Sequence, residues 1–162
     1  MKTPLIILVQ LALVLIGFMA CKTDNIMPTQ NTDSETGSIV DSSASRLVIR
    51  IGSKRFTTTL VSNATAAAFR AHLPLTVSMT ELNGNEKYYR FPTHLPSNPA
   101  GVGRIESGDL MLYTSNTLVL FYKTFPTSYQ YTSIGKIDNA AGLVSALGSG
   151  DVMVSFELEN SK

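Results

Sequence analysis

Residues 108–125 read GDLMLYTSNTLVLFYKTF, in which two apolar runs flank a short polar turn. Both runs are rich in residues that suit a pleated surface, and Thr114-Ser115-Asn116 supplies side chains that hydrogen-bond locally in turns. Apolar residues occupy both alternating faces of each run, as Leu110 and Met111 illustrate. Because strands of this kind are covered on both sides, we predict a buried β-hairpin at the centre of the core.

Composition limits the possible functions. The 162 residues, 44% apolar and 15% charged, suffice for one globular domain with its own core. A net charge of +1 gives no bulk attraction to polyanions, so we predict no nucleic-acid partner. The single cysteine, Cys21, excludes an intramolecular disulfide, and no Cys or His pair has metal-ligand spacing. We therefore predict no metal and no other cofactor.

The amino-terminal segment has the pattern of an export signal. A basic residue, Lys2, precedes an apolar run from Leu5 to Ala20 that only Gln10 interrupts. This run is shorter than the roughly 20 residues that a membrane-spanning helix needs. We therefore predict a signal peptide over residues 1–20.

The end of this run resembles the lipobox of bacterial lipoproteins, in which a cysteine after a small residue becomes residue one and carries lipid. Ala20-Cys21 fits the pattern, whereas Phe18 and Met19 depart from the usual leucine and small residue. The resemblance implies lipidation of Cys21 and a membrane partner through the anchor, and an uncleaved or spanning signal is the alternative. It implies the bacterial cell envelope, and Lys22, in place of an aspartate, favours the outer membrane.

The segment after the cysteine is polar. Thr, Ser, Asn and Asp dominate residues 23–45, which contain almost no large apolar side chain. Such a composition cannot bury enough surface to fold. We predict that residues 21–45 are a lipidated cysteine followed by a disordered tether, and that residues 46–159 form the folded domain.

Sequential hairpins with few helices dominate this domain. In addition to the central hairpin, strands are predicted at 46–51, 55–60, 76–80, 86–91, 129–137 and 151–157. We predict that Asn63 caps a short helix ending before Pro74, and that Asp138 caps a second helix that stops at Gly148. The proline-rich residues 92–103 predict an irregular rim loop. This order favours a closed barrel, which has no exposed sheet edges.

Four motifs in this order resemble the bacterial cyclophilin-like domain family over residues 46–157: LNGNEKY (82–88), SGDLMLY (107–113), LVLFYKT (118–124) and IGKI (134–137). The resemblance implies a mainly β, cyclophilin-like closed eight-stranded β-barrel with two short helices. It implies no activity, because the family largely lacks an assigned one. The Phe-His-Arg strand and the Gly-Gly-Asp run of the true cyclophilins are missing, and Arg90 is the nearest imitation of their arginine.

Aromatic residues around the central hairpin are the best candidates for a site. They indicate either core packing or a surface for an extended peptide or small ligand. Asp109, Asp138 and Asp151 stand beside turns, where local capping explains them, so we predict no catalytic residue. We hypothesise a non-catalytic binding or assembly module, with a divergent peptidyl-prolyl isomerase that uses Arg90 as the alternative. The predicted ligand-binding residues are Tyr88, Arg90, Tyr113, Tyr122, Phe125 and Tyr129.

Overall fold

The computed structural model describes residues 46–159, which contain eleven strands and two helices. The predicted signal peptide at 1–20, the lipidated Cys21 and the tether at 21–45 lie outside the described residues. The strands are β1 (Arg46–Ile51), β2 (Lys54–Leu60), β3 (Leu75–Leu82), β4 (Glu86–Arg90), β5 (Ala100–Gly101), β6 (Arg104–Ile105), β7 (Asp109–Tyr113), β8 (Thr117–Phe121), β9 (Phe125–Pro126), β10 (Gln130–Ile137) and β11 (Val152–Leu158). The helices are α1 (Ala64–Arg70) and α2 (Leu143–Leu147).

Eight of these strands close into an antiparallel barrel in the order β2-β1-β11-β3-β4-β8-β7-β10, and β10 returns to pair with β2. Gly135 permits this closure, because a Cβ atom there would lie 2.6 Å from the carbonyl oxygen of Thr59. The predicted mainly β, closed eight-stranded barrel with two short helices is therefore confirmed. Closure pairs the strand edges that an open sheet would leave exposed.

The main core fills the barrel and extends beneath α1. Asn63 starts this helix as predicted, since its Oδ1 accepts a hydrogen bond of 2.7 Å from the backbone nitrogen of Ala66. On the buried face of the helix, Phe69 packs edge-on against Phe156 of β11, with ring centroids 5.6 Å apart. This contact helps to hold α1 against the barrel.

The central hairpin is buried on both faces, as its sequence predicts. Leu110 and Leu112 belong to the main core, whereas Met111 points the other way. It joins a second, smaller group on the outside of the barrel, which we call the outer cluster: Ile105, Met111, Val119, Phe121 and Tyr131. This cluster explains why β7 and β8 carry apolar residues at nearly every position.

The prediction that Asp138 caps the second helix is wrong. Helix α2 begins after Gly142, whose φ of 82° is in the left-handed region, and its start has no side-chain cap. Asp138 follows the end of β10, where it accepts a 2.7 Å hydrogen bond from the hydroxyl of Thr59 and pairs with Arg46 at 3.0 Å. Because Asp138 lies four positions before Gly142, it is too far from the start of α2 to cap it, and its side chain contacts Thr59 and Arg46 at the barrel closure instead. Gly148 ends α2 as predicted, with φ of 60°.

The proline-rich segment is less irregular than predicted. Its last residues form β5, which pairs with the start of β10, and the following β6 pairs with β9. Pro126 occupies this small two-stranded sheet opposite Arg104, where it is tolerated because an edge strand has a free side. These short pairings lay the segment across part of the outer cluster and leave the rest open.

Candidate functional site

A groove of about 610 Å³ lies over the outer face of β4, β8 and β7. Alternation along β4 turns Glu86, Tyr88 and Arg90 toward the groove, while Lys87 points to the other face. Val119 of β8, directly opposite Tyr88 in the sheet, contributes to the apolar floor. The groove is therefore an open part of the outer cluster with charged residues at its margin.

The structure brings five of the six predicted ligand-binding residues together in this groove: Tyr88, Arg90, Tyr113, Phe125 and Tyr129. Tyr122 lies apart from it. Its side chain is buried, and its hydroxyl donates hydrogen bonds of 2.9 Å to both carboxylate oxygens of Glu81.

Two exposed tyrosines form part of the groove wall. Tyr129 is 62% exposed and Tyr113 is 38% exposed, and their rings meet edge to face at 6.1 Å. Tyr131 lies behind them, 5.5 Å from the Tyr113 ring, and is buried. Burial and the nearby Glu86 carboxylate raise the pKa of Tyr131 to about 12. The wall thus offers apolar ring surface and hydroxyl groups to a ligand.

Core packing accounts for the remaining aromatics of the central region. Phe121 is fully buried, and its ring contacts those of Phe125 and Tyr131 at centroid distances of 5.8 Å and 5.4 Å. Phe125 is half-buried, so one side of its ring faces the groove. The aromatic residues that lie close together in the sequence therefore fall into two sets, those buried in the core and those that face the groove.

One end of the groove contains acceptors that lack donors. Among residues 46–159, the half-buried side chain of Glu86 makes no hydrogen bond or ion pair, whereas every other acidic side chain there accepts a hydrogen bond. Burial and the charge of Glu81 raise the pKa of Glu86. Its neighbour Asn85 also lines the groove, and the buried Oδ1 of Asn85 has no hydrogen-bond partner within the described residues. Buried and half-buried acceptors in proteins usually have a hydrogen-bond donor. The described residues supply no donor to the side chains of Glu86 and Asn85 at this end of the groove.

The other end of the groove contains a cation. Arg90 is exposed, and its guanidinium carbon lies 5.8 Å from the centroid of the Tyr88 ring, a cation–π distance. Within the described residues, Arg90 forms no ion pair. Thr117, opposite Arg90 in the sheet, and Asn116 add polar atoms at this end. The guanidinium of Arg90 is thus available to an anionic group of a ligand.

Lys87 is part of a buried network that the sequence does not reveal. Its side chain is fully buried and donates to Glu81 and to the carbonyl oxygens of Gly148 and Gly150, the last two at 3.0 Å and 2.6 Å. Burial opposes ionisation of Glu81, but hydrogen bonds from Lys87 and Tyr122 outweigh it and lower its pKa. Burial and the Glu81 hydrogen bond raise the pKa of Tyr122 to about 12. The network secures the turn after α2.

The part of the chain that the structure describes has no group of three or more His, Cys, Asp or Glu residues that could hold a metal ion. Both histidines lie away from the groove lining: His72 stacks near Phe91, and His94 Nδ1 is hydrogen-bonded to Ser115 at 2.6 Å. The carboxylates of Asp109 and Asp151 each accept a hydrogen bond from a backbone nitrogen. Neither helix of residues 46–159 is long and apolar enough to cross a membrane.

Comparison with known proteins identifies the family of this chain. Residues 49–157 match the cyclophilin-like family, so the chain belongs to that family. A hypothetical protein from Archaeoglobus fulgidus, with a structure determined in solution, is 22% identical; the match covers 70% of this chain and 94% of that one, with a TM-score of 0.49. No curated protein matches the chain significantly.

Proposed function

We propose that this chain is a non-catalytic binding module, carried on a lipid anchor in the bacterial cell envelope, whose groove holds a peptide or a small ligand. The observation that carries the proposal is the open groove beside the outer cluster, where Tyr113 and Tyr129 expose ring surface over an apolar floor. Exposed rings of this kind, grouped in one concavity, are typical of ligand-binding surfaces.

The size and lining of the groove support this function. Its volume of about 610 Å³ falls within the range of roughly 300–1,000 Å³ for small-molecule sites. Such sites combine apolar walls with a few polar groups that set orientation. Here Phe125 and Val119 supply apolar surface, and Glu86 and Arg90 are the charged groups.

An uncharged aromatic probe tests the groove directly. N-acetyl-phenylalanine amide, titrated into the full-length protein and followed by NMR, should shift the resonances of Tyr113, Val119 and Tyr129. Tyr129→Ser should weaken this binding several-fold because it removes the most exposed ring. Met153→Ser is the matched control, since Met153 is 55% exposed and lies away from the groove lining. Shifts that map elsewhere would contradict the proposal.

The anchor is supported by the sequence pattern around Cys21, a cysteine preceded by a short apolar run and followed by a polar segment. In this proposal residues 1–20 are removed and residues 21–45 tether the barrel to the outer membrane. Mass spectrometry of the protein purified from membranes should find a mature terminus at an acylated Cys21, and Cys21→Ser should abolish the acylation. An intact Met1 would contradict the lipoprotein interpretation.

Arg90 favours a second candidate, a divergent peptidyl-prolyl isomerase, because its guanidinium lies beside an aromatic ring in the groove. A cation there could stabilise a twisted imide. A proline-peptide isomerisation assay on the purified protein, with Arg90→Ala in parallel, separates the two candidates. We expect no rate above background. Catalysis that the substitution removes would favour the isomerase.

A further inference from the structure

We propose that the groove selects a short linear peptide with both termini free, the ammonium group lying at Glu86 and the carboxylate at Arg90. This inference rests on the proposed function, because it names the ligand of the same groove. The peptide is recognised by the complementary charges at its two ends and by contact of its central side chains with the aromatic wall.

The two charged residues mark opposite ends of the groove. Glu86 and Arg90 begin and end β4, where their partners in the sheet are Phe121 and Thr117 of β8. Both side chains line the groove, and Tyr88 lies between them. At about 3.3 Å per strand residue, four steps separate their Cα atoms by about 13 Å. The groove is therefore negative at one end and positive at the other.

The partner that each end lacks defines the chemistry of the ligand. The carboxylate of Glu86 lines the groove and accepts no hydrogen bond within the described residues. An ammonium group has three N–H donors and a positive charge, so a peptide amino terminus can pair with the Glu86 carboxylate. At the other end, the guanidinium of Arg90 offers parallel N–H donors that match a carboxylate. Reversing the peptide would place like charges together at both ends.

The distance between the charges sets the length of the peptide. An extended chain spans at most about 3.3–3.6 Å per residue, so three or four residues cover about 10–14 Å. Between the charged ends, Tyr88, Val119 and Phe125 present apolar surface. The central residues of the peptide therefore have apolar or aromatic side chains, and much longer peptides cannot place both termini at once.

Chemically blocked peptides test this polarity without altering the protein. The probe is the tetrapeptide Ala-Phe-Ala-Ala, titrated calorimetrically into the full-length protein in four forms: free, N-acetylated, C-amidated and doubly blocked. We expect each block to weaken binding about tenfold, as the loss of a charge-assisted hydrogen bond predicts. Equal affinity for all four forms would overturn the proposal.

Two variants assign each terminus to its residue. In Glu86→Gln, acetylation should no longer weaken binding, while amidation still does; in Arg90→Gln the pattern should reverse. Glu157→Gln and Arg70→Gln change charges outside the groove lining and should respond like the wild type. If both blocks keep their full effect in both variants, the proposal is wrong. Groove binding of N-acetyl-phenylalanine amide would in that case still support the proposed function, because that probe carries no charge.

Discussion

Two neighbouring residues of β4 contrast a charge used for structure with a charge left open. Lys87 points to the face that holds the buried network, where Glu81 and two backbone carbonyls accept its hydrogen bonds. Glu86 points to the groove and is half-buried without a partner among the described residues. The same strand thus satisfies one charge fully and leaves the next one unsatisfied.

The difference between Lys87 and Glu86 shows which of the two charges lowers the stability of the fold. A buried charge is tolerated when partners surround it, and removing one partner leaves the others unsatisfied. A half-buried carboxylate without a donor destabilises the fold, which its raised pKa reflects. The carboxylate of Glu86, which is unpaired within the described residues, lowers the stability of the fold and makes no contact there that supports it. We therefore interpret Glu86 as a binding residue and Lys87 as a structural one. Three substitutions test this comparison, beginning with the largest effect.

Replacing Lys87 with Met should destabilise the barrel by about 3 kcal/mol, the lower end for breaking a buried ion pair. The substitution keeps a long side chain but removes the positive partner of Glu81 and the donor to the carbonyl oxygens of Gly148 and Gly150. Urea denaturation measures the loss. Lys123→Met, at an exposed position, is the control and should change stability by less than about 0.5 kcal/mol. Equal effects in both variants would remove the distinction between the two faces.

Replacing Tyr122 with Phe should cost about 1.5 kcal/mol, because the lost hydroxyl donates to a charged acceptor that retains Lys87. The ring itself stays buried, so the loss reports on the hydrogen bond. The same urea series measures it, with Tyr113→Phe as the control in the groove wall. Weakened peptide binding in Tyr122→Phe with unchanged stability would make Tyr122 a ligand contact.

The fold was predictable where local pattern and tertiary structure agree. Apolar residues at successive positions of the central hairpin show that both faces of its strands are covered. The Asn63 cap was predictable because it acts within one helical turn. Asp138 was misassigned because a carboxylate after a strand and before a helix can serve either element. Only barrel closure brings Thr59 and Arg46 to it. That pairing joins residues distant in sequence, which no local pattern contains.

The site was predictable only in part, for the same reason. The aromatic cluster around the central hairpin predicted the groove residues Tyr113, Phe125 and Tyr129. The arginine among aromatic residues at 88–91 predicted Tyr88 and Arg90. The EKYYR segment suggests solvated charges at Glu86 and Lys87, yet β8 and the turn after α2 bury them to different degrees. Tyr122 follows Phe121 in sequence, but alternation places it on the opposite face. Side chains two residues apart on a strand share a face, so the candidates Tyr88 and Arg90 also pointed to Glu86.

The smallest expected effect has the opposite sign: Glu86→Gln should stabilise the protein at pH 7, by a few tenths of a kcal/mol up to about 1 kcal/mol. The raised pKa of Glu86 means that the folded state binds its proton more readily than the unfolded state, whose pKa is near 4.5. Stability therefore falls as the pH rises from about 4.5 through the raised value. The amide does not ionise, so the variant escapes this loss.

The gain from Glu86→Gln should consequently shrink as the pH falls below 4.5, because the wild-type carboxyl becomes protonated in both states. Urea melts of both proteins at pH 7 and pH 4 measure the difference, and comparing pairs at each pH cancels the other carboxylates. Glu157→Gln provides the contrast, because it loses an exposed ion pair with Arg50 and should give no gain. A Glu86→Gln variant less stable than the wild type at pH 7 would mean that its charge supports the fold, and Glu86 would then belong with Lys87.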